Sequence, residues 1–128
     1  MRESGFRWRT MAEVLELGLD AVVAEAIAYA GSRAPRVYLT VDIDVLDPAF
    51  APGTGTPEPG GLSTRELLGA VRAIAAAVDL CVMDIVEVSP PYDVAEITAM
   101  AAHRTVLDTM TGIALRRSGA CPKPQRSH

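Results

Sequence analysis

Val37-Tyr38-Leu39-Thr40-Val41-Asp42-Ile43-Asp44 decides the fold. Its first five residues are rich in β-formers and carry no charge, the pattern of a strand covered on both faces in a parallel sheet. The run then turns acidic at Asp42, Asp44 and Asp47. A second run of the same kind spans Leu80 to Val88. Between the two, Ser63-Thr64-Arg65-Glu66 has capping-box spacing ahead of an amphipathic stretch to about Ala77. Strand, helix and strand in that order predict a βαβ unit with a right-handed crossover, and hence an α/β layer fold.

Upstream, Thr10-Met11-Ala12-Glu13 is another capping box. It opens an apolar-periodic stretch to Ala30, interrupted at Gly18, which predicts one broken helix or two short ones stopped by Gly31. Pro48 to Gly61 is too rich in Pro and Gly for a regular element, and so long a loop in a small domain is functional or disordered. After Ser89-Pro90-Pro91-Tyr92, Asp93 with Glu96 three positions on predicts the cap of a last helix running to about Arg117. Residues 1–118 are expected to be part of one domain, and 119–128 a disordered basic tail. Strands with two apolar faces expect sheet neighbours and two helical layers, more than this chain supplies. Completion by further chain or by association is therefore expected.

The chain has 128 residues, 49% of them hydrophobic, with 12 Lys+Arg against 16 Asp+Glu. Such apolar content excludes a wholly disordered chain. A net charge of −4 gives no electrostatic reason to expect nucleic acid or an anionic membrane, and leaves room for a small cationic substrate. No apolar run approaches the roughly 18 residues of a membrane span, and no signal-type core follows Met1-Arg2-Glu3-Ser4, so a cytoplasmic location is expected. Cys81 and Cys121 form neither a disulfide framework nor a metal spacing.

The acidic strand end is the chemical focus. In an extended strand, side chains at i and i+2 share a face, which would bring Asp42 and Asp44 together and turn Ile43 away. Two crowded carboxylates raise a pKa or recruit a cation, and the carboxyl ends of strands are where open α/β sheets place their sites. Hard oxygen donors suit Mg²⁺ or Mn²⁺. Without any function, Asp42 would cap a turn, Asp44 would start an Asx-turn and Asp47-Pro48 would initiate the loop. Glu87, between Val86 and Val88, is expensive to bury alone; its partner is a cationic ligand or an arginine, or it reaches solvent where the strand frays. Asp42-Ile43-Asp44 is also similar to the nucleophile motif of haloacid-dehalogenase-type phosphatases, but that motif needs a downstream lysine and the only one, Lys123, lies in the tail.

Other features read blandly. The Gly53-Thr54-Gly55 loop is no phosphate cradle, because no Gly-Lys-Ser/Thr follows it. Arg65, Arg72, Arg104, Arg116 and Arg117 fall on solvated helix faces. Trp8 fits an edge strand or an association surface. His103, inside a helix pattern, and His128, at the chain end, have no metal-ligand spacing.

Tyr38 to Leu62, with its Asp42-Ile43-Asp44-Val45-Leu46-Asp47-Pro48 and Pro52-Gly53-Thr54-Gly55-Thr56-Pro57-Glu58-Pro59-Gly60-Gly61, closely resembles the ureohydrolase family of arginases and agmatinases. Met83-Asp84-Ile85-Val86-Glu87-Val88-Ser89-Pro90-Pro91-Tyr92-Asp93, followed by Ala95-Glu96-Ile97-Thr98, resembles its second carboxy-terminal block. The loop is more similar to agmatinase than to arginase. The resemblance implies a three-layer α/β/α fold around a parallel sheet, arginase/deacetylase-like, of which this chain is the carboxy-terminal portion. It implies a binuclear Mn²⁺ centre with Asp42 and Asp44 matching two ligands, and Glu87 matching the carboxylate that holds the substrate's guanidinium. In such enzymes a metal-bridging hydroxide attacks the guanidinium carbon and releases urea and an amine. Homo-oligomers and a small guanidino substrate, such as agmatine, guanidinobutyrate, guanidinopropionate or proclavaminate, are implied too. The family's other ligands sit in upstream Gly-Gly-Asp-His and Asp-Ala-His-x-Asp blocks, absent here. Their absence leaves a competing expectation, a non-catalytic remnant serving as an association module.

Overall fold

Both capping boxes close in the computed structural model, which describes residues 5–119. The Thr10 amide donates to the Glu13 carboxylate at 2.7 Å and the Glu13 amide to the Thr10 hydroxyl at 3.3 Å, starting helix α1, Met11–Leu17. Gly18, at φ +83°, adopts a backbone that favours glycine and separates α1 from α2, Leu19–Arg33. Two helices, not one broken one, are the outcome. Gly31 does not stop α2: a helical glycine costs only about 1 kcal/mol. The stop is Pro35, which holds Ala34 extended at φ −146°, ψ 144°.

Strand β1, Val37–Asp42, pairs in parallel with β2, Leu80–Val86, with Leu39 opposite Met83 and Val41 opposite Ile85. Helix α3, Thr64–Ala77, crosses between them and completes the βαβ unit. β2 ends at Val86 rather than Val88, because Glu87 takes φ +64° and leaves the ladder.

One face of the sheet packs as expected. Val41 on β1 and Ile43 just beyond it join Leu46, Ala51, Leu67 and Val71 of α3, and Ala101 of the last helix, α4, Ile97–Ser118. Leu39, Met83 and Ile85 back this cluster. The other face lacks the second layer that this chain was not expected to supply: Tyr38, Thr40, Asp42, Val82 and Val86 are exposed among the described residues. There the Tyr38 hydroxyl donates to the Asp84 carboxylate, which the Thr40 and Tyr38 hydroxyls hold below the usual carboxylate range.

Helices α3 and α4 cross closely at Gly112, where a β-carbon would stand 2.6 Å from the Arg72 carbonyl oxygen. One turn earlier, Asp108 is 1% exposed and is gripped by Arg72 of α3 and by Arg104, whose Nε lies 2.7 Å from Oδ2. Arg116 pairs with Asp79 at 3.5 Å. All five helix arginines are exposed, as the solvated-face reading expects, but Arg72, Arg104 and Arg116 also reach back from the surface to pair with an aspartate. Trp8 lies in no strand and is 53% exposed, beside an Arg7 guanidinium stacked 4.3 Å over Tyr29. No helix among the described residues is long and apolar enough to cross a membrane. Cys121, Lys123, His128 and the tail expected to be disordered lie outside the described residues, apart from Gly119, which caps α4 at φ +68°.

Candidate active site at the carboxyl ends of the strands

After Asp42 the chain tightens into a single 3₁₀ turn, Ile43–Val45, anchored by the fully buried Ile43. The Asp42 carboxylate accepts the Asp44 amide at 3.3 Å. Asp42 and Asp44 thus meet through a side-chain-capped turn, not through the pleat of an extended strand. The expected proximity is present for a different reason, and the turn-capping role foreseen for Asp42 is present with it. Asp44 starts no Asx-turn of its own; its Oδ2 accepts the Thr56 hydroxyl at 2.8 Å.

Asp47 initiates the loop, as the sequence suggests. Its two carboxylate oxygens accept the Ala49 amide at 2.9 Å and the Gly60 amide at 2.8 Å, and those amides hold its pKa below the ordinary value. The loop closes with Asp47 N–H to Leu62 O and Leu62 N–H to Val45 O, each 2.9 Å. Gly61 sits so close that a β-carbon would fall 2.5 Å from the Asp47 nitrogen. A run too Pro- and Gly-rich for a helix or strand is fixed by one aspartate at its root.

Partial desolvation at the strand end first, although Asp42 is exposed overall, and then the neighbouring Asp44 and Glu87 charges raise its pKa above the ordinary value, while the Asp44 amide works against them. Three carboxylates therefore gather at the ends of β1 and β2. Glu87 is exposed rather than buried between valines, and no arginine pairs with it among the described residues. Its left-handed backbone directs it toward Gly55, where a β-carbon would lie 3.8 Å from Oε2. Of the two alternatives that involve no ligand, an arginine partner or solvent, solvent is the one observed among the described residues.

The 53–56 loop is pinned from behind. The Gly53 amide donates to the Thr98 hydroxyl at 2.7 Å, and the Ser89 amide to the Gly53 carbonyl at 2.8 Å. Asp93 accepts the Thr98 and Ala99 amides at 3.0 Å each; burial pushes its pKa up, but these amides outweigh it and the net shift is down. Asp93 therefore takes up the first amides of α4, as expected of a cap, but from three residues ahead of the N-cap position, which Glu96 occupies. The helix itself begins later, at Ile97, because Ala95 and Glu96 are left-handed at φ +49° and +60°, so Glu96 is no capping-box partner. Sequence reasoning missed Thr56 and Thr98. Their only signal was position, each hydroxyl lying within a block that also carries a carboxylate.

A divalent cation fits this donor set in part. Asp42 and Asp44 offer hard carboxylate oxygens at a point of unrelieved negative charge. Among the described residues, no group of three or more His, Cys, Asp or Glu stands placed to hold a metal ion, and His103 is exposed on α4. The two aspartates alone supply fewer donors than a divalent cation takes.

Comparison with known proteins bears on the family and the fold. The family model described as the arginase family matches residues 1–112. A guanidinopropionase of Pseudomonas aeruginosa is 45% identical over 109 residues, covering 85% of this chain and 33% of that protein. An agmatinase of Proteus mirabilis is 48% identical over 107 residues, covering 84% of this chain and 34% of its own length. The solved proclavaminate amidino hydrolase of Streptomyces clavuligerus superposes with a TM-score of 0.82 at 41% identity, over 90% of this chain and 38% of that one. The chain spans about a third of the length of the curated relatives it matches. The matched segment contains the aspartate pair, the loop pinned behind it and Glu87, and on that footing the chain belongs to the arginase family.

Proposed function

We propose that the protein hydrolyses a small guanidino compound of the agmatine or guanidinopropionate type to urea and an amine, with Asp42 and Asp44 as metal ligands and Glu87 as guanidinium anchor. The observation that carries this reading is the meeting of these three carboxylates at the ends of parallel strands, where the charges of Asp44 and Glu87 both act on Asp42. The names of the guanidinopropionase, agmatinase and amidino hydrolase relatives support the substrate class.

Each residue has a distinct task. Asp42 and Asp44 would hold Mn²⁺, their charge offsetting that of the metal. When bound, the metal supplies a water deprotonated near neutral pH. Glu87 presents two oxygens to the fork of N–H donors on a planar guanidinium, which sets the carbon's distance from the aspartate pair. Its carboxylate also stabilises the substrate's positive charge. Part of the metal's donor set has to come from outside the described residues, from a longer chain or a partner subunit.

The test is urea release by the full-length protein from a panel of guanidino compounds with Mn²⁺ supplied. Turnover that is abolished in Asp44→Ala, with the fold intact by circular dichroism, is the expected result. A folded, Mn²⁺-supplied protein that releases no urea from any member of the panel overturns the reading. The partial donor set favours one rival, a non-catalytic association module, which the same null result would support. The phosphatase reading finds no lysine among the described residues.

A further inference from the structure

We infer that Thr56 is a positioning residue for the metal site: its hydroxyl fixes the Asp44 carboxylate in the orientation that binds the cation, and the loop carrying it is built to hold that hydroxyl still. The inference rests on the assignment of Asp44 as a metal ligand.

Asp44 sits in a short 3₁₀ turn with its side chain only partly buried, so packing alone leaves its carboxylate free to rotate. The one side-chain donor to it is Thr56 Oγ, at 2.8 Å from Oδ2. A hydroxyl donating to an ionised carboxylate is a charge-assisted bond, stronger than a neutral one and directional. It uses one lone pair of Oδ2 and leaves the remaining lone pairs of the carboxylate for a cation. Asp42 is handled in the same way, its Oδ1 taking the Asp44 amide at 3.3 Å. Each aspartate is thus tied by one protein donor, the arrangement by which outer groups orient metal-ligating carboxylates.

Thr56 is itself well held. Pro57 follows it and restricts its backbone to extended conformations. Three residues back, Gly53 is fixed through both its amide, on Thr98, and its carbonyl, on Ser89. A β-carbon at Gly53 would lie 2.6 Å from Asp93 Cβ, so the loop sits directly on the segment that caps α4. A rigid path therefore runs from the start of α4, through Gly53, to the Thr56 hydroxyl and Asp44. Thr56 is exposed and is not a member of the core cluster, so a purely structural role has little to act through.

The experiment compares Thr56→Val, which keeps the shape and loses the donor, with Thr56→Ser, which keeps the donor. Mn²⁺ is titrated calorimetrically into the metal-free full-length protein, and bound Mn²⁺ is followed by electron paramagnetic resonance. Loss of an outer-shell partner lowers metal affinity about 10–100-fold. That loss is expected in Thr56→Val, with an altered resonance line shape, while Thr56→Ser stays near the parent and the metal-free melting temperatures of all three coincide. Equal Mn²⁺ affinity in parent and Thr56→Val overturns the positioning role and leaves the proposed activity standing. Equal loss in both variants also overturns it, since the hydroxyl would then be irrelevant. A parent protein that binds no Mn²⁺ overturns both readings together.

Discussion

Gly53 lies directly against Asp93: a β-carbon there would fall 2.6 Å from Asp93 Cβ and 2.8 Å from its Cα. The overlap is with backbone as well as side chain, so no rotamer change relieves it. The contact joins the loop that reaches the aspartate pair to the residue that caps α4 with two amides.

Gly53→Ala should therefore destabilise by about 1–3 kcal/mol, the cost of overpacking a tight contact. It should also weaken Mn²⁺ binding, because the displaced loop carries Thr56 away from Asp44. Urea denaturation and a metal titration on the same variant check the two effects. Lost stability with unchanged Mn²⁺ affinity would show that the loop and the aspartate pair are not mechanically linked.

Asp47 sets an acid limit on the loop. The Ala49 and Gly60 amides lower its pKa below 3.8, so it contributes stability above that value, and the contribution is lost as pH falls through the lowered folded value. Asp42 has the opposite sign. Its raised pKa favours the protonated form, so its contribution is present at low pH and disappears as pH rises through the raised value. Asp47→Asn should melt below the parent at neutral pH, and the two curves should converge in acid. Parallel curves across the titration would mean that the amide contacts do not hold the loop.

How much of this was legible in the sequence depended on how far each interaction reaches along the chain. The capping boxes at Thr10 and Ser63 are complete within four residues, and both close. The stop of α2 was misassigned to Gly31 because the effect of Pro35 on Ala34 is a steric one that outweighs a weak glycine propensity. The Asp42–Asp44 pairing was legible, but its cause was not, since a capped turn and a pleat place i and i+2 side by side alike. Thr56 on Asp44 and Arg72 on Asp108 span 12 and 36 residues, and no local pattern encodes such pairs. Arg104 and Asp108, at i and i+4, were within reach of helix spacing.

That last cluster separates two kinds of loss. Asp108 is 1% exposed, whereas the side chains of Arg72 and Arg104 are 47% and 57% exposed. Removing both arginines strands a buried carboxylate, which costs about 3–5 kcal/mol. Asp108→Ala instead lets both guanidinium groups rehydrate, and should cost less, about 1–3 kcal/mol. Denaturant unfolding of Arg72→Ala/Arg104→Ala beside Asp108→Ala checks the order. The reverse order would mean that the carboxylate is solvated despite its place between the helices.

Glu87 gives the sharpest test of the division of labour at the strand ends. It stands past the end of β2 on a left-handed backbone, exposed and with no arginine partner among the described residues, so little of the fold depends on its side chain. Hydrogen bonds to a charged group are worth about 1.5–3 kcal/mol each, which sets the loss for Glu87→Gln at roughly ten- to a hundredfold in kcat/KM or more. The change keeps the Asp42 and Asp44 side chains and removes only the charge by which Glu87, the last of the causes, acts on Asp42, so Mn²⁺ affinity and melting temperature should stay near the parent's. The glutamine keeps the length of the side chain but loses one acceptor and the charge. A guanidinium would therefore lose its bidentate hold, and the larger part of the effect should appear as weakened substrate binding. Mn²⁺ titration, thermal melting and urea-release kinetics on one variant separate these. If Glu87→Gln instead loses Mn²⁺ with its activity, the carboxylate belongs to the metal and the guanidinium must be held elsewhere.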